Sequence, residues 1–192
     1  MSRRSGPFNL AIDEFLNGQW MRENLPAGLQ DARRMNKDYR EIVRELKRKF
    51  RLEGHGTWES YGQGAASFAD VWCYRDTAEF RRPSHKPDDN HFTGLWILLC
   101  FRFPCFVMGE GPRCWSKKGS ASYMPSFSQV DQLKTQGVRD LAARIEPFLV
   151  DRGLTRLRKR DVATALPPDI EIESNLIEGH LRIFDALFFW YD

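Results

Sequence analysis

The chain has 192 residues, 42% of them hydrophobic and 13% aromatic, which excludes a disordered or low-complexity protein and suffices for one domain with a sizeable core. A net charge of +3, from 29 basic and 26 acidic residues, is too balanced to imply nucleic acid by itself. Four cysteines are too few to hold a disulfide scaffold.

Taken in chain order, the first segment, MSRRSGPFNLAIDEF, has basic residues but no apolar stretch of secretory length and no small-residue cleavage site. We expect a cytoplasmic chain whose cysteines stay reduced. Ile12, Phe15, Leu16 and Trp20 suggest that residues 1–30 form a helical extension of a single globular domain spanning 1–192. Asn36 to Phe50 reads as an amphipathic helix, because Tyr39, Ile42, Val43, Leu46 and Phe50 fall on one face. Gly54-His55-Gly56 should break it, and Thr57 to Tyr61 should begin extended structure. Phe68 to Tyr74 is rich in strand formers.

Arg81 to Asn90 carries two prolines among polar residues and is predicted to be a loop. Next comes GLWILLCFRFPCFVM, Gly94 to Met108, the least polar part of the chain. It is shorter than the roughly 20 apolar residues of a membrane helix and contains Arg102 and Pro104, so no membrane span is expected. On a continuous strand Cys100 and Cys105 would point to opposite faces, which argues against a metal site. Leu95 to Phe101 is instead predicted to be a central strand buried on both faces, with Pro104 at a bulge or sheet edge. Gly109 to Pro125 is predicted to be a second long loop, and such loops often carry binding residues.

Ser128 is expected to cap a second helix, with Asp131 in its first turn and Val130, Leu133, Leu141, Ile145 and Phe148 on its apolar stripe. Pro147 should kink or end that helix, and Gly153 should stop it. LTRLRKRD then reads as an exposed basic segment anchored by Leu154 and Leu157. Ile170 to Glu173 alternates as a half-exposed strand, and Gly179 to Tyr191 is predicted to close the sheet. The order of elements indicates an α+β fold, a mostly antiparallel central sheet covered by two amphipathic helices.

The candidate chemistry is sparse. His85 and His91 flank Asp88 and Asp89 without the spacing of a metal site, so no metal is expected. His55 near Glu53 and Glu59, and His180 near Glu178, could each serve as a general base by residue type but have no nucleophile motif beside them. Gly109-Glu110-Gly111-Pro112 and Lys117-Lys118-Gly119-Ser120 lack the order of a phosphate loop, and no cofactor is expected. Charge is uneven: nine basic and five acidic residues lie between Asp31 and Glu53, against one basic and six acidic between Val162 and Asp192. Arg33-Arg34, Lys47-Arg48-Lys49 and Arg156 to Arg160 could contact phosphates, yet the first two lie among glutamates on a helix, so nucleic acid is not expected as the partner.

Two functional classes stand: a non-enzymatic binding protein, and an enzyme acting on nucleic acid or a nucleotide through histidines and carboxylates gathered by the fold. A chain with long polar loops, no catalytic set and the terminal run Phe188-Phe189-Trp190-Tyr191 resembles the immunity proteins that neutralise bacterial polymorphic toxins. The resemblance implies a cognate toxin domain as partner and inhibition by occluding its active site or substrate surface. The contact residues we expect are Asp88, Asp89 and His91 in the first loop, Trp115 and Tyr123 in the second, and Glu171 and Glu173 on the alternating strand.

Overall fold

The computed structural model describes residues 32–58, 60–61, 64–83, 90–116, 119–122, 124–166, 172 and 180–191. The predicted extension over residues 1–30 lies outside them, as does the Ile170–Glu173 strand except for Ile172, which is buried.

Helix α1 spans Ala32–Phe50 and buries Tyr39, Val43, Leu46 and Phe50, the face marked out by the helical period. It ends at Arg51, which takes the left-handed position (φ 54°) more often given to glycine. The glycines beyond serve another purpose: they lie inside strand β1 (Glu53–Thr57). At Gly54 a Cβ would sit 2.2 Å from the Trp72 carbonyl oxygen, so β1 can approach its neighbour only without a side chain there.

The main sheet runs β1, β4 (Phe68–Tyr74), β5 (Asn90–Cys100), β6 (Cys105–Ser116) and β7 (Gly119–Ser122), all antiparallel. A short β8 (Thr155–Arg156) pairs parallel to β6. A second, small sheet holds β2 (Ser60–Tyr61), β3 (Gly64–Ala66) and β9 (Trp190–Tyr191). The fold is α+β, and β5 is the central strand, buried from Gly94 to Cys100. Among the described residues no helix is long and apolar enough to cross a membrane.

The predicted second loop is corrected over most of its length, because β6 continues to Ser116 and hairpins into β7. Glycine and polar residues hid this strand; its pairing with β5 holds it, and its glycines make room for indoles. Trp72, Trp96 and Gly109 share one face of adjacent strands. Trp72 lies over Gly94 and donates from Nε1 to the Gly111 carbonyl (3.0 Å), and Trp96 lies over Gly109. Both indoles are fully buried.

Pro104 is neither at a bulge nor at an edge but in the turn Phe101–Pro104 that joins β5 to β6. That turn also overturns the parity argument for the cysteines. The chain reverses between them, so Cys100 and Cys105 meet across the hairpin with their thiols hydrogen-bonded. Tyr39 Oη donates to the Cys100 carbonyl (2.7 Å), which ties the turn to α1.

Helix α2 spans Gln136–Asp151 rather than beginning at Ser128. The intervening residues form a single 3₁₀ turn (Phe127–Gln129) and then run along the edge of β6, with Asp131 N donating to the Met108 carbonyl and Glu110 N to that of Gln132. The helix start is capped from a distance: the Glu110 carboxylate accepts from Lys134 N (2.6 Å), Thr135 N (2.8 Å) and Thr135 Oγ1 (2.7 Å). Pro147 does not end α2. It is exposed, and the buried Phe148 and Leu149 hold the last turn against the core.

α1 and α2 touch through Phe50 and Phe148 (5.7 Å) and through the Glu45–Arg152 ion pair. They therefore lie side by side on one face of the sheet, the face of Phe106, which Arg156 links to Glu146 of α2. The opposite face receives the C-terminal segment. The predicted closing strand is instead a short helix α3 (Ile183–Leu187) followed by β9. Phe184 and Phe188, one helical turn apart, pack together at 5.3 Å, and Phe188 meets Phe68 at 6.2 Å. Every residue from Ile183 to Phe189 is buried, so no polar face remained in the sequence to reveal the helical period. Ser67 fastens this segment, donating from Oγ to the Leu187 carbonyl (2.8 Å) and accepting from Phe189 N (2.9 Å).

The segment expected to be exposed and basic is half internal. Leu154 and Leu157 are buried anchors, but the Arg156 side chain is only 5% exposed. Asp131, in a left-handed conformation (φ 62°), pairs with Arg156 and accepts from Lys159 N (2.6 Å), while Glu146 pairs with Arg158. Burial pulls the Arg156 guanidinium down to a pKa of about 10. These arginines balance carboxylates inside the fold and are not a free phosphate-binding run.

Candidate functional site

A groove of about 610 Å³ opens where the polar ends of β5 and β6 meet the approach to α2. Thr93 and Pro112 form its floor as cross-strand partners on the helix-covered face. One wall is Ser128, Gln129 and Gln132 from the strap along β6; the other is Arg82, at the start of the first polar loop. Lys134 and Thr135 close it at the head of α2, and Glu110 fastens β6 to that head through its carboxylate and to the strap through its N–H. Among the described residues Arg82 and Lys134 are exposed and have no carboxylate within ion-pairing distance, so they bring two positive charges to the groove against the one negative charge of Glu110. Gln129 Oε1 is a buried acceptor that no described donor reaches.

Of the seven expected contact residues, the structure describes the side chain of His91 alone. It is half-buried on β5, two residues along from Thr93 on the same face, and its carbonyl accepts from Arg82 N (2.8 Å). His91 thus borders the groove. Trp115 is placed by its backbone, which pairs with Asn90 and Ser120. Asp88, Asp89, Tyr123, Glu171 and Glu173 lie outside the described residues. The groove's own residues Arg82, Thr93, Glu110, Gln129 and Lys134 were missed in the sequence, since they come together only through pairing of β6 with two distant segments.

Among the described residues, His55 and His91 stand on opposite faces of the sheet. His55 pairs with Trp72, which pairs with Trp96, so His55 stands on the indole face. His91 has the opposite parity to Trp96 on the unbroken strand β5 and faces the other way. His180 is exposed near the C-terminal segment, and His85 is outside the described residues.

His55 stacks on Trp72 (6.3 Å), and partial burial, then the charges of Arg113 and Lys47, pull its pKa below the usual imidazole value. The unfolded chain therefore binds the proton more readily. Stability is complete above about pH 6.5 and falls as the pH drops through the depressed folded-state value. We expect the wild-type melting temperature to fall between pH 7 and 5 by more than that of His55→Gln, and the His55 ring resonance to titrate below that of a free histidine; equal falls and an ordinary titration would oppose this.

Three of the four thiols are buried, and at Cys100 hydrogen bonds from Cys105 and backbone N–H groups outweigh burial and pull the thiol below the ordinary range. Burial pushes the Cys73 thiol up to about 12, and burial together with its bond to Cys100 holds Cys105 well above the ordinary range. Cys114 alone is partly exposed. A thiol-alkylating reagent should modify the native protein at Cys114 first and reach the other three only on unfolding, as read by peptide mass mapping. Among the described residues no three His, Cys, Asp or Glu side chains gather as a metal-ligand set.

No family model matches the chain, and neither a curated protein nor a solved structure does.

Proposed function

We propose that this chain is a non-enzymatic protein-binding inhibitor of the immunity type, which neutralises a cognate bacterial toxin domain by occluding its active site or substrate surface. The observation that carries the reading is the groove bordered by His91. Hydroxyl and amide groups and two cations are gathered there from three parts of the chain, and Glu110 fastens β6 to the head of α2. Rigid, pre-positioned donors favour recognition because little ordering entropy is lost on binding. The two cations favour an acidic counterpart on the toxin. Inhibition then needs no chemistry from this chain, only a surface that covers the toxin's own.

The test is co-expression with a catalytically inactivated form of the protein encoded beside it, followed by size-exclusion chromatography with light scattering. A one-to-one complex that survives nuclease treatment and moderate salt is the expected result. Recovery of nucleic acid or a small ligand in place of that complex would overturn the reading.

A further inference from the structure

A second concavity, of about 510 Å³, lies at the C-terminal end of α1 and shares no residue with the groove. Four cations from three elements line it: Lys49 and Arg51 at the end of α1, Arg75 just after β4, and Arg144 on α2. Aromatic rings fix two of them. Lys49 Nζ lies 4.9 Å from the centre of the Phe148 ring, and the Arg144 guanidinium lies 5.3 Å from that of Phe50. Arg75 reaches the Phe50 carbonyl at 3.5 Å. The one carboxylate in the lining, Asp76, is already held by Arg81 at 3.0 and 2.6 Å. Among the described residues no other carboxylate comes within ion-pairing distance of the four.

Cations at a helix C-terminus ordinarily offset the partial negative charge of its last carbonyls. That accounts for Lys49 and Arg51. It does not account for Arg75 and Arg144, which arrive from other elements and have no carboxylate partner among the described residues. Like charges gathered in this way repel one another and oppose folding unless an anion joins them. Three guanidinium forks and an ammonium around one hollow supply more donors than a single carboxylate can accept, and they match the oxygens and double charge of a phosphate group.

We infer that this pocket is a phosphate-binding site, one that takes the terminal mono- or diphosphate of a small ligand. The site is independent of toxin binding at the groove, so each reading can fail without the other.

The experiment is calorimetric titration of the full chain with pyrophosphate, for the wild type and for Arg144→Glu, Arg75→Gln and Arg160→Glu. Arg160 is 87% exposed and outside the pocket, so its variant controls for net charge. Melting curves show that each variant is folded, and pyrophosphate should raise the wild-type melting temperature by mass action. We expect one saturable site per chain, weakened at least about tenfold by either pocket variant and unchanged by Arg160→Glu. Absence of saturable binding, or equal weakening by Arg160→Glu, would mean an adventitious ion only and overturn the site. Tighter binding of an unphosphorylated acidic peptide would also overturn it. So would tighter binding of a single-stranded oligonucleotide with the steep salt dependence of many phosphate contacts.

Discussion

Gly109→Ala is expected to destabilise the protein by about 3 kcal/mol, at the upper end of what overpacking a core commonly costs. The new Cβ would stand 2.1 Å from Cζ2 of Trp96 and 2.6 Å from the Gln129 carbonyl oxygen. Neither can move away: the indole is fully buried in mid-sheet, and the carbonyl belongs to the strap that bridges to β6 at Val130. A methyl group that is helpful on an ordinary strand is therefore harmful here. Chemical denaturation of wild type and variant checks this, and a change below about 1 kcal/mol would show that the indole does not lie flat on this glycine. Because Gln129 lines the groove, the same substitution should also weaken partner binding in whatever fraction remains folded.

Asp70→Ala should cost about 3–5 kcal/mol, the range for removing one partner of a buried ion pair. Asp70 is fully buried in the middle of β4, and Arg113 Nη2 meets its Oδ2 at 3.1 Å with the guanidinium 5.4 Å from the centre of the Trp72 ring. Taking away the carboxylate leaves a guanidinium that is 11% exposed without this counter-charge. Taking away both charges removes that penalty, so Asp70→Leu combined with Arg113→Met should be more stable than Asp70→Ala alone. The stabilities of wild type, Asp70→Leu, Arg113→Met and the double variant form a double-mutant cycle, and a coupling energy near zero would mean that the two groups do not depend on each other.

Much of the scaffold could be read along the chain because the signals were local. The stripe Tyr39, Val43, Leu46 and Phe50 marked α1, and unbroken apolar residues marked the centre of β5. The failures share a physical cause, which is structure set by partners distant in sequence. α2 begins at Gln136 because Glu110 caps it from β6, and nothing around Ser128 reveals that carboxylate. Cys100 and Cys105 face each other because a turn separates them, so strand parity did not apply. The run after Gly153 looked like an exposed basic tail because Asp131 and Glu146, its counter-charges, lie well upstream. The groove was legible in outline only. His91 marked its border, whereas the cations and amides that give the groove its character come from segments that look unremarkable one by one.

The groove offers groups that act by hydrogen bonding and by charge. Its polar groups are hydroxyls, amides and two cations; the carboxylate at its wall, Glu110, has both oxygens engaged by the start of α2. Each of these acts by hydrogen bonding or charge, and charge there should raise the rate of encounter with an acidic partner more than it slows release. Salt should accordingly slow association.

The most direct measurement is the affinity of the wild type and of the double variant Arg82→Glu, Lys134→Glu for the inactivated product of the adjacent gene, by calorimetry at two salt concentrations. The account predicts a one-to-one complex, weakened by the double variant at least about a hundredfold with its fold intact, and by added salt in the wild type. A wild-type chain that does not bind, or a double variant that binds as tightly as the wild type, would contradict it.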